Sequence, residues 1–136
     1  MLKISLFLIL LYILVSIFLS WKSKPIEFSV KKNENYYNNI FCDSLGGKRE
    51  TKHYYKYSNK QSFIKIDCET ESYVYEGGLD KRSSLDSIQQ AIFFSILTSK
   101  KPAIVVFDTD NIYGKYEYRL KAVADKLKIK FIRISK

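Results

Sequence analysis

Ile4 to Leu19 (ISLFLILLYILVSIFL) carries no charged residue, is apolar on every face, and ends two residues before Trp21. A helix of that kind has no polar side to turn to water, so it does not fit the wall of a small globular core. Its length lies between the core of a secretory signal and a full span of roughly 20 residues. Cleavage after Ser20 would leave bulky Phe18 three residues before the cut, where a small residue is needed. The expectation is therefore a transmembrane anchor or uncleaved signal segment over residues 1–21, with Trp21 at the interface. A linker over 22–33, held extended at Pro25, leads to one folded domain over 34–136.

A domain of that length has room for one core and not two. The chain is 46% apolar and 15% aromatic, which excludes disorder. It has no internal repeat of solenoid period. The net charge is +9, and residues 111–136 hold eight Lys/Arg against Glu117 and Asp125. Such a basic region suits nucleic-acid phosphates or anionic lipid headgroups, or is a solvated helix face.

The side of the membrane is contested. Lys22, Lys24, Lys31 and Lys32 follow the apolar segment and only Lys3 precedes it, which by the positive-inside rule keeps the domain in the cytoplasm. The two cysteines, Cys42 and Cys68, point the other way. They form no CxxC motif, and His53 is the single histidine. A lone pair behind an export-type segment reads as a disulfide, which places the domain on the extracytoplasmic, periplasmic side. Two buried thiols in a reducing compartment are the alternative.

Along the domain, Tyr37, Ile40, Phe41 and Leu45 recur at helical spacing before Gly46-Gly47, giving a helix over about 34–45. Lys48–Tyr57 reads as a strand, followed by a turn at Ser58–Gln61. Ser62–Cys68 and Ser72–Glu76 read as two more strands, the last broken by Gly77-Gly78. Ser83 to Asp86 has the form of a capping box. After it, Leu85, Ile88, Ala91, Ile92 and Ile96, widened by Phe93, Phe94 and Leu97, mark a helix with a buried second half. Ala103–Phe107 (AIVVF) is a central strand covered on both faces. Tyr116, Leu120, Val123, Ala124 and Leu127 mark a last helix, and Lys130–Ile134 a last strand. The fold class is α/β, in the order α-β-β-β-α-β followed by α-β.

That order resembles the core of the restriction-endonuclease-like PD-(D/E)XK nuclease superfamily over about residues 34–108. The resemblance implies an acid ending the second strand, here Asp67, and an acid-x-Lys on the third, beginning at Glu76. Together they would hold Mg²⁺ or Mn²⁺, hard ions that prefer oxygen ligands. Such a metal stabilises charge on a phosphodiester and activates a water. The lysine position falls on Gly78, so the role passes to Lys81, reaching back from the loop. Gln90 with Phe94 is similar to the Gln-x-x-x-Tyr element of exonuclease-like branches, which implies that Gln90 orients substrate. Asp67, Glu76, Lys81 and Gln90 are thus the candidate catalytic residues, with Asp67 and Glu76 as metal ligands.

Asp108 and Asp110 follow the apolar strand, where α/β sites often lie, but acidic turn residues are common. His53 has no evident catalytic partner. Tyr54, Tyr55, Tyr57, Tyr73 and Tyr75 could stack bases or form a core rim. No phosphate-binding Gly loop, zinc spacing or serine-nucleophile motif is present. Two functions follow: a membrane-anchored metal-dependent nuclease, or an inactive descendant serving as a binding or structural module at the cell envelope.

Overall fold

The structure, a computed structural model, describes residues 32–135. The expected anchor over 1–21 and residues 22–31 of the linker lie outside them. Among the described residues no helix is long and apolar enough to cross a membrane.

Three α-helices and five strands follow one another as α1 (Glu34–Ser44), β1 (Lys48–Tyr57), β2 (Lys60–Glu69), β3 (Tyr73–Leu79), α2 (Ser87–Thr98), β4 (Lys101–Phe107), α3 (Lys115–Leu127) and β5 (Lys130–Ile134). A short 3₁₀ turn, Arg82–Asp86, precedes α2. The strands form one mixed sheet whose spatial order, β1-β2-β3-β4-β5, is also the chain order. β1, β2 and β3 pair antiparallel, while β4 and β5 join in parallel. Parallel neighbours need a crossover, and α2 and α3 supply the two crossovers.

β4 sorts the layers. Ala103, Val105 and Phe107 pack with Phe41 and Cys42 of α1 and with Cys68 and Tyr75. Ile104 and Val106 pack with Ala91 of α2 and with Leu120 and Ala124 of α3. One helix therefore covers one face and two cover the other. The all-apolar run over 103–107 is buried throughout, as expected of a central strand.

Local chemistry sets the boundaries. Asn33 caps α1 by accepting a 3.0 Å hydrogen bond from the Tyr36 N–H. Past the helix end, Gly46 takes φ +63°, where the missing Cβ removes the usual penalty. The tight β1–β2 turn has positive φ at both Ser58 and Asn59, the pattern of a two-residue hairpin whose twist matches its strands.

Three expectations need correction. β3 does not break at Gly77-Gly78, because both glycines pair in register with Val105 and Val106 of β4 and the strand runs on to Leu79. Ser83 does not cap α2: the chain first makes the 3₁₀ turn, the Ser84 hydroxyl bonds back to the Lys81 carbonyl at 2.7 Å, and α2 starts at Ser87. Ile96 is 70% exposed rather than buried. It stands two residues from buried Phe94, on the opposite side of the helix.

The expected disulfide is present, joining Cys42 of α1 to Cys68 of β2 with Cα atoms 5.4 Å apart.

Candidate functional site

β2 and β3 pair only through Cys68–Tyr75 and Glu69–Val74. One step beyond those pairs stand Asp67 and Glu76, where the strands part. Parting strands leave ladder groups without partners, and buried backbone N–H groups must find others. The Gly77 N–H finds the Asp67 carboxylate at 3.0 Å, and the Asn38 side-chain amide of α1 donates to the same oxygen at 2.9 Å. Asn38 is buried, and its side chain fills the space that a Cβ on residue 77 would need, so the contact requires glycine there.

Glu76 is 8% exposed, and its Oε2 is a buried oxygen with no hydrogen-bond partner. Burial pushes its carboxyl up to about 9, with the negative charges of Asp67 and Glu34 pushing the same way. Burial also lifts Asp67 to about 6, against the pull of the Gly77 N–H and the Asn38 amide. Glu34, at the head of α1, thus acts on both carboxyls, and Asp67 acts on Glu76. Desolvation and the neighbouring negative charges both favour protons there, and a divalent cation would relieve the repulsion between the charges. Asp67 and Glu76 offer oxygen ligands of the kind Mg²⁺ and Mn²⁺ take.

The other two candidates stand apart. Lys81 is exposed at the start of the 3₁₀ turn, and no ion pair joins it to Asp67 or Glu76. Position 78 is closely packed: a Cβ there would lie 3.0 Å from the Ser84 Cβ and 3.2 Å from the Ser87 hydroxyl. A lysine in the position the nuclease resemblance assigns would have to displace the 3₁₀ turn. Gln90 is half-buried and lines a groove of about 470 Å³ with Tyr55, Ile64, Lys65, Gln89, Phe93 and Phe94, a lining that includes neither acid.

Sequence reading missed Glu34 and Asn38. The signal was present: Glu34, Asn38 and Cys42 follow one another at four-residue spacing and so share a helix face. Cys42, tied to the residue after Asp67, marks that face as the one toward the acid.

The tightest acidic group among the described residues lies elsewhere. Asp80, Asp108 and Asp110 each place an oxygen within 4.8 Å of the others, and the group could hold a metal ion. Its oxygens already serve protein donors. Asp80 accepts from the Thr109 N–H and hydroxyl at 2.9 and 2.8 Å. Asp108 accepts from the N–H groups of Asp110 and Asn111 and pairs with Arg133. Arg133 also reaches Glu117, which is fully buried, at 2.8 Å.

His53, read as having no evident catalytic partner, meets Glu69 at 2.7 Å. Glu69 also accepts from Thr51 at 2.6 Å and from Lys100 at 2.7 Å. Burial would raise the Glu69 carboxyl, but Lys100, Thr51 and His53 overcome it and hold it at about 2. The cluster joins β1, β2 and the approach to β4 at the floor of a cleft of about 620 Å³.

No family model matches this chain, and neither a curated protein nor a solved structure matches it.

Proposed function

We propose that the domain is a nuclease-like module with a restriction-endonuclease-like core, which holds one Mg²⁺ or Mn²⁺ between Asp67 and Glu76 and hydrolyses phosphodiesters. The observation that carries this reading is the unpartnered, buried Glu76 oxygen beside Asp67. A buried polar atom without a partner costs about 1–3 kcal/mol, more if charged, and a cation would remove that cost. The element order α-β-β-β-α-β and its antiparallel-to-parallel sheet also suit such a core. When bound, the metal would supply Lewis-acid stabilisation of the phosphoryl oxygens and a water of lowered pKa. The chain's own part is to hold the ligands. Asn38 and the Gly77 N–H fix one Asp67 oxygen, and Asp67 and Glu76 would hold the ion in their ionised forms.

The test is a metal titration of chelator-treated protein followed by thermal unfolding. Mn²⁺ and Mg²⁺ should raise Tm, and Glu76→Gln and Asp67→Asn should each abolish the rise. Metal-dependent cleavage of labelled oligonucleotides that stops in Glu76→Gln supports hydrolysis. An unchanged Tm at saturating metal overturns the site.

A second reading has its own support. The packing of Ser84 against position 78 keeps a lysine out of the place the resemblance gives it, which favours an inactive descendant that binds metal or partner at the envelope without cleaving. Metal stabilisation without cleavage selects it.

In either reading the segment over 1–21 carries the domain at a membrane, the domain faces the extracytoplasmic side, and the basic stretch over 111–136 meets phosphates. The Cys42–Cys68 disulfide supports that side, because such bonds persist in oxidising compartments.

A further inference from the structure

The β1–β2 hairpin reaches well past the rest of the sheet. Its strands pair from Lys48–Glu69 to Tyr57–Lys60, whereas β2 meets β3 only at its last residues. Residues 52, 54 and 56 of β1 and 61, 63 and 65 of β2 are all exposed and directly opposite in pairs: Lys52–Lys65, Tyr54–Phe63 and Lys56–Gln61. Alternation puts them on one face. Tyr54 and Phe63 are 59% and 49% exposed, with ring centroids 6.1 Å apart. The Lys52 ammonium lies 3.8 Å from the Phe63 ring centroid.

The hairpin is costly for the fold as built. Like charges directly opposite in an antiparallel pair are destabilising, and Lys52 faces Lys65. Glu50 relieves Lys65 at 3.2 Å, but no acid among the described residues pairs with Lys52, Lys56 or Lys60. Residues 48–65 carry six Lys/Arg against Glu50 alone. Edge strands use lysine to repel added strands, but that role needs no pair of exposed aromatic rings. Rings flanked by unpaired cations are the elements of a surface that stacks bases and tracks phosphates.

We infer that this hairpin face binds single-stranded nucleic acid, with Tyr54 and Phe63 stacking bases and Lys52, Lys56 and Lys65 meeting the backbone. The choice of nucleic acid over an anionic membrane rests on the nuclease-like reading above. The face runs on along β2 toward Asp67, two residues past Lys65, and is separate from the basic C-terminal stretch.

The test uses the full chain in nanodiscs of zwitterionic phosphatidylcholine, with a fluorescein-labelled 20-nucleotide oligo-dT read by anisotropy in EDTA. Lys52→Glu combined with Lys56→Glu should weaken binding at least tenfold. It should also shrink the slope of log K against log salt by about 1.4, or 0.7 for each single-strand phosphate left without its lysine. The fold should survive, because a carboxylate at position 52 faces Lys65. Tyr54→Ala combined with Phe63→Ala should weaken binding by at least about thirtyfold with the slope unchanged. The Mn²⁺-dependent rise in Tm should persist in both double variants, so loss of the metal site and loss of this surface read out separately. Unchanged affinity in both double variants overturns the inference. So does binding to phosphatidylglycerol vesicles with none to the oligonucleotide.

Discussion

Glu76 and Glu69 lie on neighbouring strands and are pushed in opposite directions, and each leaves its own mark on stability against pH. Glu76 ionises near its ordinary 4.5 when unfolded and near 9 when folded. Between those values unfolding releases a proton, so stability falls as pH rises, by up to about 1.4 kcal/mol per pH unit. This contribution is whole below the unfolded value and gone above the folded one. Chemical denaturation from pH 5 to 9 should show the decline, and Glu76→Gln, neutral throughout, should flatten most of it. What remains should lie at the acid end, where Asp67 passes from its ordinary 3.8 to about 6. Saturating Mn²⁺ should reverse the slope in the parent, because a metal needs the ionised form. Glu69, held at about 2, acts with the opposite sign: its contribution is present above 4.5 and is lost as pH falls toward 2. Lys100→Met should remove much of that acid-side loss. Asn38→Ala should lower stability by about 1.5–3 kcal/mol, the range for a hydrogen bond to a charged group.

At the scale of elements, the Cys42–Cys68 bond fastens α1 to the strand that carries Asp67. Reducing it, or Cys42→Ser with Cys68→Ser, should cost about 2–4 kcal/mol in denaturant unfolding. Thiol labelling of unreduced, denatured protein should find neither cysteine free. The five strands and three helices of the described residues were legible because their signals are local: period-two and period-3.6 patterning, the Gly46-Gly47 stop, and the all-apolar run of β4. What escaped the sequence depended on packing between elements. Gly77-Gly78 reads as a break in isolation, but parallel pairing to β4 carries the strand through, and the missing side chains admit Asn38 and Ser84. Ile96 belongs to the apolar stripe by spacing alone, whereas the buried face of α2 is Ser87, Ala91 and Phe94, with Ile88, Ile92 and Phe93 packed beside them. Asp67 and Glu76 were legible as strand-end acids. Their partners Glu34 and Asn38 were missed, although their four-residue spacing with Cys42, the partner of Cys68, marks the face of α1 that turns toward Asp67.

Over the whole molecule, the basic charge is unevenly committed. Arg133 is engaged by Asp108 and Glu117, and Lys121 by Asp125, whereas the hairpin lysines are largely free. Alkaline carbonate should leave the full-length chain in the membrane pellet if residues 1–21 anchor it, whereas a soluble product starting near Trp21 would show cleavage. The spatial order of the strands has a consequence for how the protein is made. Since it repeats the chain order, every strand emerging from a ribosome or a translocation pore can add to the open edge of what has already formed, and none must be threaded between finished neighbours. The last to arrive, β5, brings the guanidinium that Asp108 and Glu117 await. Until it docks, the nascent sheet carries two inward-facing acids with no cation, so the native state is completed by its final strand rather than merely extended by it.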